Sequence, residues 1–209
     1  MVYFKYNSFE VSGTYGNILD YIGASKVNLI VPVNSCFDTK IDESVISTNS
    51  LHGKVIKFLY DNNLVSQTVL DKKIKSSLKE QGIPSVNIGN DVKKGGKSVG
   101  NYNRYPIGST AFVDIGNVRY HFIALSIIEN NKNAKTSDQD YLIVLNAIVD
   151  NCFRNSNGNP IYLPLIGSGL SKLNYNHQQQ LEFMVKYFML RKTKLTSDVE
   201  IVIRKEDGD

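Results

Sequence analysis

Cysteine is scarce in this chain: Cys36 and Cys152 are the only two among 209 residues. Two cysteines cannot staple a disulfide framework, and no metal-type spacing of cysteine and histidine is present. A reducing cytoplasm is the expected location, and Cys36 is expected to be a buried, inert thiol. Long apolar runs are missing too, since none approaches the ~20 residues needed to cross a bilayer. The start, Met1-Val2-Tyr3-Phe4-Lys5-Tyr6, lacks the basic segment followed by an apolar one that marks a secretory signal. Charge of one sign is not in excess either. The net charge of +4 suits an anionic ligand but falls short of the basic stripe of a duplex-binding protein. No internal repeat is evident.

What is present is an ordinary globular composition, 42% hydrophobic and 21% charged, enough for a single domain over residues 1–209. Val2 to Tyr6 reads as a strand that Phe9 to Val11 continues, followed by a turn over Ser12 to Asn17 and a short helix from Ile18 to Ile22. The continuous apolar run Val27 to Val33 is the pattern of a central buried strand. Leu51, Val55, Phe58 and Leu59 recur at helical spacing, as do Val65, Val69, Leu70, Ile74 and Leu78. Asn87 to Arg104 is glycine-rich and basic, and reads as a mobile surface loop at about 88–104. Ala111 to Ile115 and Val118 to Ile128 form a hairpin around Gly116-Asn117. A polar linker over Glu129 to Thr136 follows, and Ser137 then caps a helix carried by Tyr141 to Phe153. Ile161 to Ile166 is a second buried strand, His177 to Arg191 an amphipathic helix, Val199 to Ile203 a closing strand, and 205–209 a frayed tail. Strands alternating with helices predict an α/β fold with a mixed sheet covered on both faces.

The chemistry concentrates at two strand ends. Val27 to Val33 stops in Asn34-Ser35 and leads through Cys36-Phe37-Asp38-Thr39 to Ser50-Leu51-His52-Gly53. Ligands in open α/β sheets sit beyond the carboxyl ends of strands, and a helix N-terminus there offers N–H groups to an anion. Ile161 to Ile166 ends likewise in Gly167-Ser168-Gly169. That run is neither a Walker loop nor the dinucleotide fingerprint, because it lacks a following Gly-Lys-Ser/Thr and a correctly spaced third glycine. It reads either as a tight turn or as an anion nest of successive N–H groups. Asn34 and Asp38 read as local caps or as partners of ribose hydroxyls. Phe37 reads equally as core or as a ring that stacks on a ligand. His52 reads as a base, or as a helix-start residue facing a phosphate. The lysines of the Asp91 to Lys97 stretch read as phosphate attractants or as a solvated surface.

Together these motifs resemble the macro domain. Within that family they are most similar to the divergent macro domain of Thoeris anti-phage effectors. The resemblance rests on Val33-Asn34 with Phe37-Asp38-Thr39, on Ser50-Leu51-His52-Gly53, and on Leu165-Ile166-Gly167-Ser168-Gly169-Leu170, with Pro106 to Ala111 as a further match. It implies a three-layer α/β/α fold around a mixed sheet. It also implies a sensing role: the domain binds an ADP-ribose derivative that a TIR-domain enzyme makes from NAD, such as histidine-ADP-ribose, and activates a defence effector. The implied ligand-binding residues are Asn17 and Ile18 for the base, Asn34, Phe37, Asp38 and Thr39 for the distal ribose, and Ser50, Leu51, His52 and Gly53 with Ile166, Gly167, Ser168, Gly169 and Leu170 for the diphosphate. No catalytic residue, metal or further cofactor is implied. A TIR enzyme is the implied functional partner and ligand-induced homo-oligomerisation the implied output. Neither nucleic acid nor a membrane segment is expected in this chain. Two departures stand out. Gly16-Asn17-Ile18 replaces the family's Gly-Asp-Ile, which removes a charge beside the base, and a longer Phe37 to Ser50 segment replaces a glycine-rich run. The alternatives are an ADP-ribosyl hydrolase using Asn34, Asp38 and His52 to position water, and a binding protein that sequesters the signal.

Overall fold

The computed structural model describes residues 1–24, 26–90, 97–128, 136–167 and 176–204. A hairpin opens the chain: β1 (Val2–Tyr6) turns through Asn7, at φ +55°, into β2 (Phe9–Tyr15). Asparagine tolerates that left-handed conformation. A 3₁₀ turn over Ile18–Gly23 leads to β3 (Val27–Asn34), which is buried along nearly its whole length. Helices α1 (Leu51–Asp61) and α2 (Gln67–Glu80) follow. Two-residue strands β4 (Val86–Asn87) and β5 (Asn103–Arg104) pair with each other. Then come β6 (Thr110–Ile115), β7 (Val118–Ser126), α3 (Asp138–Ala147), β8 (Ile161–Pro164), α4 (His177–Leu190) and β9 (Val199–Ile203).

Seven strands form one sheet in the order β1-β2-β9-β8-β3-β7-β6. From β2 to β7 the neighbours are parallel, while β1 and β6 pair antiparallel at the two edges. This is the expected mixed sheet. Alternation along β3 sends Leu29, Val31 and Val33 to one face and Ile30 to the other. The first face packs against α1 and α2, whose Val55, Ile56, Leu59, Leu70, Ile74 and Leu78 share its core. The second packs against α3 and α4 through Val144, Leu145, Met184 and Phe188. Three layers result, with helices on both sides of the sheet.

Side chains set the helix starts. Ser50 and Ser66 cap α1 and α2, while Ser137 with Asp140 and Asn176 with Gln179 form reciprocal capping boxes on α3 and α4. The α3 helix runs on as a π turn over Ile148–Phe153.

Two expectations need correction. Ser12 to Asn17 is not a turn, because β2 continues to Tyr15 in register with Ile203 of β9. Gly13 is there for close approach: a Cβ on it would lie 2.5 Å from the Tyr3 hydroxyl. The described flanks of the 88–104 stretch are not free surface loop either. The β4–β5 pair closes its base, and the Lys97 side chain is wholly buried. Residues 91–96 of that stretch, the linker at 129–135 and the tail at 205–209 lie outside the described residues.

Candidate functional site

Strands β3 and β8 are neighbours and run the same way. The chain leaves β3 for α1 on one face of the sheet and leaves β8 for α4 on the other. Adjacent parallel strands whose connections part in this manner leave a crevice at their carboxyl ends, the position where open α/β sheets bind ligands. Asn34 and Ser35 stand at the mouth of β3. Leu165, Ile166 and Gly167 stand at the mouth of β8, with Gly167 at φ +88°. The N-terminus of α1 is drawn to the same end, since the His52 ring interacts with the backbone of Asp38. Gly16-Asn17 follows β2, and the parallel β2–β9–β8 pairing brings it to this edge too. Ser168, Gly169 and Leu170 lie outside the described residues.

The near wall of the crevice is heavily cross-tied. Asn34 accepts the N–H groups of Cys36 (3.1 Å) and Asp38 (3.4 Å) on its Oδ1, and its Nδ2 donates to the Val45 carbonyl at 3.1 Å. Asp38 accepts the Lys97 ammonium on Oδ2 at 2.5 Å and the Asn101 N–H on Oδ1 at 2.6 Å. Both charged side chains are fully enclosed. Burial pushes the Asp38 carboxyl above the usual carboxylate range, while Lys97 and the hydrogen bonds from Asn101 and Asn34 pull it back. The Asn101 Nδ2 donates to the Phe37 carbonyl and to Asp71 Oδ1, both at 2.9 Å. Thr39 reaches Asp71 through its hydroxyl, and its carbonyl accepts the Tyr60 hydroxyl at 2.7 Å. Asn34, Asp38 and Thr39 thus serve the loop itself.

Phe37 takes the core role. It is 1% exposed and meets Tyr105 edge to face at a centroid distance of 5.5 Å. Cys36 is buried and burial raises its thiol, the inert state expected of it. Burial also holds His52 neutral, its value lowered to about 4, so it is not poised as a base at neutral pH. Ser50 Oγ accepts the Gly53 N–H at 3.0 Å and donates to the Ser47 carbonyl at 2.7 Å. The donors that α1 leaves without an intrahelical acceptor are therefore the N–H groups of Leu51 and His52. Gly53 acts through its lack of a side chain, since a Cβ there would lie 2.1 Å from the Ser47 carbonyl oxygen. Asn17 accepts the Leu19 N–H at 3.1 Å and caps the 3₁₀ turn, and Ile18 is buried beneath it.

Sequence reasoning missed two features. Ser35 Oγ is buried at the mouth of β3 and has no hydrogen-bond partner among the described residues. Its place in the polar pair after an apolar strand was the available signal. Lys97 gave no such signal, because nothing local marks a lysine for burial.

The family model for the macro domain of Thoeris protein ThsA matches residues 11–204. The chain belongs to this family. Among curated proteins it is similar to Thoeris protein ThsA of Bacillus amyloliquefaciens (strain Y2), with 24% identity over 177 residues covering 83% of this chain. The chain spans about half of that relative's length, 55%. Two solved Bacteroides thetaiotaomicron proteins, one described as of unknown function, are similar at 14% and 10% identity with TM-scores of 0.46 and 0.49. They cover 94% and 92% of this chain and 99% and 100% of their own. A likeness that loose carries no argument. Among the described residues no helix is long and apolar enough to cross a membrane, and no His, Cys, Asp or Glu cluster could hold a metal ion.

Proposed function

We propose that this ThsA-type macro domain is the sensor of a Thoeris anti-phage effector. It binds an ADP-ribose conjugate that a TIR-domain partner makes from NAD, such as histidine-ADP-ribose, and binding changes its assembly state. The observation that carries this reading is the parallel pairing of β3 with β8, whose following connections leave on opposite faces of the sheet. One rim offers the first N–H groups of α1 and the other the positive-φ turn at Gly167, and both suit a diphosphate. The buried Ser35 hydroxyl, without a hydrogen-bond partner among the described residues, adds a polar atom at the mouth of β3.

Binding is favoured over hydrolysis by the state of the three residues a hydrolase would use. Asn34 and Asp38 are committed to protein partners, and burial weakens the His52 imidazole as a base. Calorimetry with ADP-ribose and histidine-ADP-ribose tests the reading, together with recovery of the ligand after long incubation and sizing with and without it. Saturable binding, intact ligand and a ligand-dependent change in oligomeric state are expected. No binding by either compound at high micromolar concentration overturns the reading. Cleaved ligand would favour the hydrolase, and binding without assembly the signal-sequestering alternative.

A further inference from the structure

We propose that Lys97, Asp38 and Asn101 form a clasp that positions the near wall of the cleft without touching the ligand. The inference rests on the binding reading above. The Lys97 and Asp38 side chains are both 0% exposed, so the ion pair faces no solvent and opens onto no ligand. Asp38 spends one oxygen on Lys97 and the other on the Asn101 N–H. Gly100, at φ +86°, makes the approach possible, because a Cβ there would lie 2.1 Å from Asp38 Oδ1. The same asparagine reaches with its side chain to the Phe37 carbonyl. Phe37 itself is a buried aromatic at φ +51°, a conformation that persists only where its surroundings over-determine it.

A buried ion pair is a poor device for stability, because an apolar pair of similar volume often serves as well or better. Its best-attested use is to fix register. Here it fixes the register of two segments 59 residues apart, the loop after β3 and the segment that β4 and β5 close. The wall from Asn34 to Thr39 is held from within by Asn34 and from outside by this clasp. Asp38 is thus a positioning residue, and Lys97 with Asn101 braces the cleft.

The test compares Lys97→Met, Asp38→Asn and the double variant by thermal unfolding, ADP-ribose calorimetry and hydrogen exchange at amides 36–39. The double variant is expected to unfold cooperatively near the wild-type temperature, since it leaves no unpaired buried charge. The single variants are expected to lose affinity to a similar extent, about tenfold or more, and the double no more than either, since residues acting as one unit do not add. All three are expected to exchange amides 36–39 about tenfold faster than wild type. The clasp is overturned if Asp38→Asn loses far more affinity than Lys97→Met, or if the two losses multiply, because Asp38 then meets the ligand itself. It is equally overturned if the folded double variant keeps wild-type protection at these amides. If wild type does not bind ADP-ribose, the binding reading falls, and the exchange measurement alone decides the clasp.

Discussion

Strand β3 carries a buried asparagine near each end, and the two are used differently. Near the start, Asn28 donates to the carbonyls of Ser156 and Asn159 and receives the ring nitrogen of His121 at 2.9 Å. At the finish, Asn34 braces a loop whose next polar layer is the Asp38–Lys97 ion pair. The first cluster is neutral and ties the sheet to the turn before β8. The second encloses two full charges beside the cleft. Neutral hydrogen bonds add about 1 kcal/mol each, whereas enclosing an ion pair returns little net stability. The costly chemistry therefore stands beside the proposed site and the cheap chemistry at the other end of β3.

The sharpest way to break this contrast is to remove one member of each cluster. Lys97→Met, which strands a buried carboxylate, is expected to cost about 3–5 kcal/mol in denaturant unfolding. Each cluster also holds a buried neutral histidine, so acid probes both ends together. Desolvation lowers His52 to about 4 and His121 to about 3 from an unfolded value of 6.5. The unfolded chain takes up protons first, so the stability present above pH 6.5 is lost as pH falls toward 4. The expected loss is about 3 kcal/mol per histidine, and His121→Gln should remove roughly half of the acid sensitivity seen in unfolding at stepped pH. Asn28→Ala leaves only neutral groups unpaired and is expected to cost about 2–3 kcal/mol in the same unfolding assay. A cost equal to that of Lys97→Met would erase the distinction. Ser50→Ala, which uncaps α1 without touching either cluster, is expected to cost about 1 kcal/mol by thermal unfolding.

Much of this was legible in the sequence because it was written locally. The apolar run of β3, the periodicity of α2 with Leu70, Ile74 and Leu78, and the caps at Ser50 and Ser137 each depend on neighbours a few residues away. The end of β3 was legible for the same reason, since a strand that stops at a polar pair announces its own end. The occupancy of the site residues was not. Asn34 and Asp38 have the composition of ribose readers, yet their partners are Val45, Lys97 and Asn101, and pairing of that kind is decided only by the fold. Gly13 misled in the opposite direction. A glycine in a strand that makes room for a distant tyrosine has the same local signature as a glycine in a turn.

The strand order also governs how the molecule is made. The last strand, β9, lies between β2 and β8, so the opening hairpin has no place in the sheet until residues 199–203 arrive. During synthesis the edges of β2 and β8 wait unpaired, open to the wrong neighbour. Docking of residues 199–203 is therefore what joins the opening hairpin to the rest of the sheet.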